Sequence, residues 1–374
     1  MALVHAVLRT LLPVGTALGV MLAGALAAPA SAQRAPEIRE VGSVVLPATD
    51  RGVLDLAVSH NGKRAVAVGR DWLQVVALTN GNPRLLGFTR TVFGEEVELS
   101  RDGRTAYVLS QNDTLYVVDV GGNKAPRLVR QIRRKNLAPS HVFGMVASRN
   151  GKFLYLKHGF EYGDHGTGKG IQVLSLAKPR KPRKAGRTKT PEWDGDIAIS
   201  ANGRHLVTSN QTTDNYLLQY KVNTRTGKPT RVKRLRLAFR GGSVAIDDQN
   251  RSAYVLSGGS TTSELHVARL NLKKKRVAKA ARVPAQEDGL GLAVSPDGRH
   301  LYATTWRASP AEQQSFITLD ARTLTPLHGA RGAELYAPQT VRVSRRGRTK
   351  GHVYVPTYTG VRGGSPLLLA LTYR

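Results

Sequence analysis

Leu292-Ala293-Val294-Ser295-Pro296-Asp297-Gly298 decides the fold. A short apolar run ends in a tight turn, and a second apolar strand, Leu301-Tyr302-Ala303-Thr304, follows at once. The Gly supplies the positive φ that such a turn needs. Working outward from this copy finds six more, at Leu56–Gly62, Val97–Gly103, Met145–Gly151, Ile197–Gly203, Val244–Asn250 and Val341–Gly347. In the fifth copy along the chain Asn250 takes the Gly place, as the usual non-Gly residue at φ > 0. The turn-closing residues are spaced 41, 48, 52, 47, 48 and 49 apart. A repeat of that length, built from short strands, is the sequence mark of a β-propeller.

Each unit divides into four strands. The first alternates little and is small and apolar, as a strand buried on both faces should be. A second follows, as in Ala106-Tyr107-Val108-Leu109, and a third, as in Leu115-Tyr116-Val117-Val118-Asp119. The fourth carries Lys/Arg clusters, as in Arg127-Leu128-Val129-Arg130-Gln131-Ile132. A propeller sets the first strand on the axis and the fourth at the circumference. The clusters are therefore expected as an outer belt, represented by Arg130, Arg133, Arg134, Lys181, Arg183, Lys184, Lys273, Lys274 and Lys275. Charge there also guards exposed strand edges against aggregation. Seven first strands predict an all-β, seven-bladed propeller of four-stranded antiparallel blades. The last unit lacks a fourth strand, and Ile38–Leu46 is the candidate to close the ring.

Arg9, the apolar stretch Leu11–Ala27 and the small residues Ala30-Ser31-Ala32 make residues 1–32 a secretory signal peptide. Residues 33–374 are then one exported propeller domain, with no membrane span once the signal is removed. The chain has no Cys, which excludes disulfides and thiolate metal sites, and a core of this size can do without disulfides. Lys and Arg number 56 against 26 Asp and Glu, a net charge of +30 that concerns partners and solubility rather than fold.

Trp72–Leu78 with Asn82–Gly87, Leu115–Val120 with Ala125–Val129, and Ile171–Leu176 with Lys181-Pro182 resemble the LVIVD-repeat family of secreted and cell-surface propellers. The first and second strands look like YVTN or WD40-like seven-bladed repeats, best in Ser295–Ala303. Such propellers host binding proteins, lactonases and redox enzymes, so the resemblance implies a fold and leaves the function open. Of the lactonase His-x-His approach to the third blade, His141-Val142-Phe143 keeps one His. No Gly-x-Ser-x-Gly elbow, His-Glu-x-x-His helix or P-loop is present.

The loops between second and third strands and the approaches to each first strand share one rim, where unusual residues collect. Glu95-Glu96, Glu192-Trp193-Asp194-Gly195-Asp196 and Glu287-Asp288 lie on the approaches, and Trp306-Arg307 lies on a loop. With Asp55 they predict an acidic-aromatic ligand rim inside a basic girdle. The position four residues before the turn Ser (or Asp247) reads Asp55, Glu96, Gly144, Asp196, Ser243, Gly291 and Thr340. Its three carboxylates converge near the axis and would suit Ca²⁺ or Mg²⁺. His158, Glu161, Asp164 and His165 could instead hold a transition metal. Glu98 and Arg342 break the small-residue rule inside first strands, and a buried charge needs a partner. They flank blade 1 and either meet across it or find local partners.

These features favour a secreted, monomeric, non-enzymatic binding propeller. It would take a protein partner or an anionic cell-envelope polymer at the rim or on the belt. The basic clusters lack the interleaved aromatics on which bases stack, which argues against a specific nucleic acid. The alternative is a lactonase-like hydrolase with a metal-assisted or Arg-assisted site at the channel mouth. His141, Glu192 and Arg307 are its only catalytic nominees.

Overall fold

In the computed structural model, residues 38–373 are described apart from 47–51, 81, 91, 93, 111, 123–124, 134–136, 138–140, 160–169, 191–194, 211–214, 258–263, 285–288, 306–315, 328–338 and 359–365. The predicted signal peptide falls outside them. The fold is the expected seven-bladed propeller. Blade 1 runs outward through Asp55–Val58, Arg64–Gly69, Trp72–Thr79 and Asn82–Thr89, each strand antiparallel to the next. Blades 2 to 5 repeat the plan, from innermost strands Glu96–Leu99, His141–Ala147, Ile197–Ile199 and Gly241–Ile246 to outermost strands Arg127–Ile132, Arg183–Lys189, Pro229–Arg236 and Arg276–Pro284. Blade 6 shows Gly289–Val294, His300–Thr305 and Phe316–Asp320, with an isolated bridge from Leu319 to Pro326. The only helical piece among the described residues is the short 3₁₀ turn Gly347–Thr349.

Blade 7 is built from both ends of the chain. Arg342–Val343, Val353–Tyr358 and Pro366–Tyr373 are its inner strands, and Ile38–Val45 is its outermost. That strand pairs antiparallel with Pro366–Tyr373, from Ile38 opposite Tyr373 to Val45 opposite Leu367. The ring is closed by the N-terminal strand, as the sequence predicts.

The turn repeats because a small hydrogen-bond network repeats. Ser59 Oγ donates to Asn61 Oδ1 at 2.8 Å and accepts the Arg64 N–H at 3.0 Å. Ser100 with Asp102, Ser148 with Asn150, Ser200 with Asn202 and Ser295 with Asp297 do the same. Both groups serve orphan turn atoms that would otherwise need water. The closing Gly residues have φ between +67° and +73°, and Asn250 has +59°. A second demand falls on Gly103: a Cβ there would sit 2.8 Å from Ser59 Cβ, in the turn of the preceding blade. Neighbouring turns thus pack directly on one another.

The core lies between blades. Seven apolar clusters fill the seven junctions of the ring. Val66, Val68 and Val75 meet Val97, Ala106 and Val108 between blades 1 and 2, and Leu46, Tyr354 and Leu368 meet Leu56 and Trp72 where blade 7 meets blade 1. Each second strand is buried along nearly its whole length, hence its near-continuous apolar sequence.

The fourth strands do face solvent, with Arg130, Arg183 and Lys184 exposed and Arg133 exposed just after its strand. Lys181 and Lys273–Lys275 are placed differently from the expectation. They sit in turns between third and fourth strands, and an antiparallel blade brings those turns to the same end as the Gly turns. Contacts bear this out, since Arg64 in blade 1 donates to the Val120 carbonyl at the corresponding turn of blade 2. Part of the predicted belt is therefore a basic face. Arg134 lies outside the described residues.

Candidate functional site in the central channel

The innermost strands enclose a channel of about 580 Å³ lined by Asp55, Glu96, Glu98, Asp196 and Arg342 among small and apolar residues. Asp55, Glu96 and Asp196 come together as predicted, but the position they share is first of all a stitch between blades. Asp55 Oδ2 accepts the Val97 N–H of blade 2 at 3.0 Å, and Asp196 Oδ2 accepts the Val244 N–H of blade 5 at 2.9 Å. Ser243 Oγ donates to the Leu290 carbonyl of blade 6 at 2.6 Å. At Gly291 a Cβ would lie 2.9 Å from Thr340 Cα, so there the next strand packs against bare backbone.

The remaining oxygens of the two Asp residues are also engaged. Asp196 Oδ1 accepts its neighbour Ile197 N–H at 2.7 Å. Arg342 reaches from blade 7 to Asp55 Oδ1 at 2.7 Å, while its Nη1 donates to Thr340 Oγ1 at 2.7 Å and to the Val341 carbonyl at 3.2 Å. Glu98 instead receives the Ala147 N–H of blade 3. Of the two outcomes the sequence leaves open for Glu98 and Arg342, local partners are the one found; the two feel each other only through their fields.

Packing like charges in one channel perturbs them. Burial pushes Glu98 up to about 8, against the pull of Arg342. Burial, then the charges of Asp55 and Asp196, carries Glu96 well above the carboxylate range. Its Oε2 is shut off from solvent with no hydrogen-bond partner. Asp196 is raised by burial despite its two N–H donors. Burial disfavours the charge on Arg342, yet the carboxylates of Asp55, Glu98, Asp196 and Glu96 together raise its pKa. Among the described residues, no three His, Asp or Glu side chains are grouped as metal ligands.

The Gly-turn mouth carries a cluster that sequence reasoning missed. Arg149 Nη2 lies 2.5 Å from Asp248 Oδ1, and Arg345 donates to the same oxygen. These residues belong to blades 3, 5 and 7, so they meet by reaching over the channel mouth. Burial, then Arg149, lowers Arg345 to about 10. Burial and then Arg346, Arg149 and Arg101 depress His60 beside them. One signal was available: the residue after the turn Ser reads His60, Arg101, Arg149, Ala201, Pro296 and Arg345 in six blades, and Asp248 is the lone acid at that place.

Glu192, Trp193, Asp194, Glu287, Asp288, Trp306 and Arg307 lie outside the described residues, as do Glu161, Asp164 and His165 and the side chain of His141. His158 is wholly buried on the second strand of blade 3. On the outside, a cleft of about 680 Å³ runs between the outermost strands of blades 3 and 4. Arg187, Lys189, Lys228 and Arg231 line it together with Thr188, Thr190 and Thr230.

No family model matches the chain, and no curated protein matches it. A solved structure it resembles is "Kuenenia stuttgartiensis Hydrazine Synthase", with a TM-score of 0.63 and 18% identity over 83% of this chain and 94% of that one. At that identity the likeness is one of fold alone.

Proposed function

We propose that this chain is an exported, non-enzymatic propeller with LVIVD-like and YVTN-like repeats that holds an anionic envelope polymer on its basic outer strands. The observation that carries the reading is the cleft between blades 3 and 4. It is a shallow, open groove, cationic on both walls, where the exposed Thr230 adds a hydroxyl that can serve the neutral oxygens of an acidic polysaccharide. The channel supports the same choice from the other side. Three of the four carboxylate oxygens of Asp55 and Asp196 join blades and the fourth accepts the adjacent Ile197 N–H, which leaves these two rim residues less to offer a ligand.

Titration with polygalacturonate, an acidic polysaccharide, tests this. The expected outcome is binding that weakens at least about tenfold between 50 and 200 mM salt, as counterion release requires. Replacing the cleft residues Lys189, Lys228 and Arg231 by Ser should weaken it at least about tenfold. Salt-independent binding, or a variant indistinguishable from the parent, would reject the cleft as the contact and favour a protein partner. The hydrolase alternative has its own readout, because His141→Ala should abolish any lactone hydrolysis and leave polymer binding intact.

A further inference from the structure

The residue that follows the turn Gly (or Asn250) is Lys63, Arg104, Lys152, Arg204, Arg251, Arg299 and Arg348 in the seven blades in order. Every one is basic, and every one is exposed. The turn itself does not ask for this. It needs the backbone N–H at that position, which in blades 1 to 4 and 6 donates to the turn's Asn or Asp oxygen at 2.9–3.1 Å. Any non-proline residue supplies that N–H. Among the described residues none of the seven side chains is in an ion pair. Their charges are therefore available to a partner.

Their arrangement is as informative as their sign. Adjacent turns touch around the ring: Thr349 Oγ1 donates to the Gly62 carbonyl, Asn202 N–H to Asn250 Oδ1, and a Cβ on Gly151 would meet Arg101. The seven cations are thus held at one end of the propeller, one per blade, on a rigid circle around the Asp248 cluster. A linear polyanion laid across a circle engages only an arc of it. A two-dimensional array of anions engages all of it at once. The face presents no large exposed apolar side chain either, since those among the described residues are Val41 and Val45, on the outermost strand of blade 7. Contact would be electrostatic, without insertion.

From this geometry we infer that the Gly-turn face is a docking surface for a planar anionic lipid bilayer, held through phosphate or carboxylate headgroups. It is separate from the polymer cleft and needs none of that cleft's residues. Each Lys or Arg held near an anionic membrane adds a comparable increment, so the effect of removing several multiplies.

The test is co-sedimentation of the purified protein with vesicles of phosphatidylcholine alone or with 30% phosphatidylglycerol. Two variants with equal loss of charge are compared. The ring variant replaces Lys63, Arg104 and Lys152 by Ser, and the cleft variant replaces Lys189, Lys228 and Arg231 by Ser. All six side chains are exposed, so both variants are expected to fold, and matching melting curves verify it. The parent should bind only anionic vesicles and release them in 0.5 M salt. The ring variant should lose about 100-fold in partitioning and the cleft variant less than about threefold. Equal losses in both variants, or equal binding to neutral vesicles, would overturn the docking face. So would a ring variant that loses polygalacturonate as completely as vesicles, since the face would then serve a linear polymer. The cleft variant's response to polygalacturonate judges the polymer reading separately.

Discussion

Arg342 and Asp55 lie 287 residues apart in sequence and 2.7 Å apart in space, so the last blade is pinned to the first inside the channel. Asp55 is simultaneously bonded to Val97 of blade 2. One carboxylate therefore ties three blades together at the point where the ring must close.

Arg342→Ala should break that tie. Removing one partner leaves Asp55 largely buried beside other carboxylates, and the expected cost is about 2 kcal/mol, given that Arg342 keeps some solvent contact. Urea denaturation measures it. A double-mutant cycle with Asp55→Asn should show the two losses to be non-additive by about 1 kcal/mol; strict additivity would mean the contact contributes nothing.

Stability should depend on Glu98 across the neutral range. The folded-state value of about 8 is raised above an ordinary value of 4.5, so the protonated form favours the fold. The contribution is fully present below about pH 4.5, declines as pH rises, and is lost above about pH 8. Glu98→Gln keeps the shape and removes the titration. Melting temperatures of parent and variant should converge at pH 5 and separate by several degrees at pH 9, with the variant higher.

Asp248→Asn leaves Arg149, Arg345 and His60 facing one another at the channel mouth without the carboxylate that the two arginines share. The variant should lose about 1–2 kcal/mol at low ionic strength and recover part of it in 0.5 M salt, which screens the repulsion. Thermal melts at the two salt concentrations decide the matter: a loss insensitive to salt would assign Asp248 a packing role instead.

Leu46 is fully buried where blade 7 meets blade 1, next to Trp72 and Leu368. Leu46→Ala should cost about 2–4 kcal/mol. Deleting residues 38–46 should lower the melting temperature by more than any single change above, because it strips the outermost strand of blade 7 and part of a core junction together. An unchanged melting temperature would contradict the closure.

The sequence discloses the blades because their turn obeys local chemistry. A positive φ wants Gly or Asn, and the Ser and Asn or Asp two residues apart bond each other within five residues of chain. N-terminal closure was legible as an arithmetic deficit, one strand missing at one end and one spare at the other. The channel was legible only in part. Asp55, Glu96 and Asp196 share a repeat position, so their convergence follows from the symmetry. What they bond does not, since a repeat position fixes where a side chain starts and not which rotamer it takes. Hence the stitching role of Asp55 and Asp196, and the choice of Arg342 for Asp55, emerge only in three dimensions. The Arg149–Asp248–Arg345 cluster is further from reach, for it joins blades that are not neighbours in the ring. The sequence places Lys273–Lys275 in a strand, because charge density does not mark where a hairpin bends.

The pairing of Ile38 with Tyr373 also sets a timetable. Ile38–Val45 has no place to go until Pro366–Tyr373 has been made, and the two must then find each other across all the intervening chain. Such a search is slow, because loop-closure entropy must be spent before any distant contact rewards it. Six blades can assemble in order as they emerge; the seventh cannot. Synthesis thus runs ahead of completion, and for that interval the polypeptide remains an open arc whose last blade waits for its outermost strand.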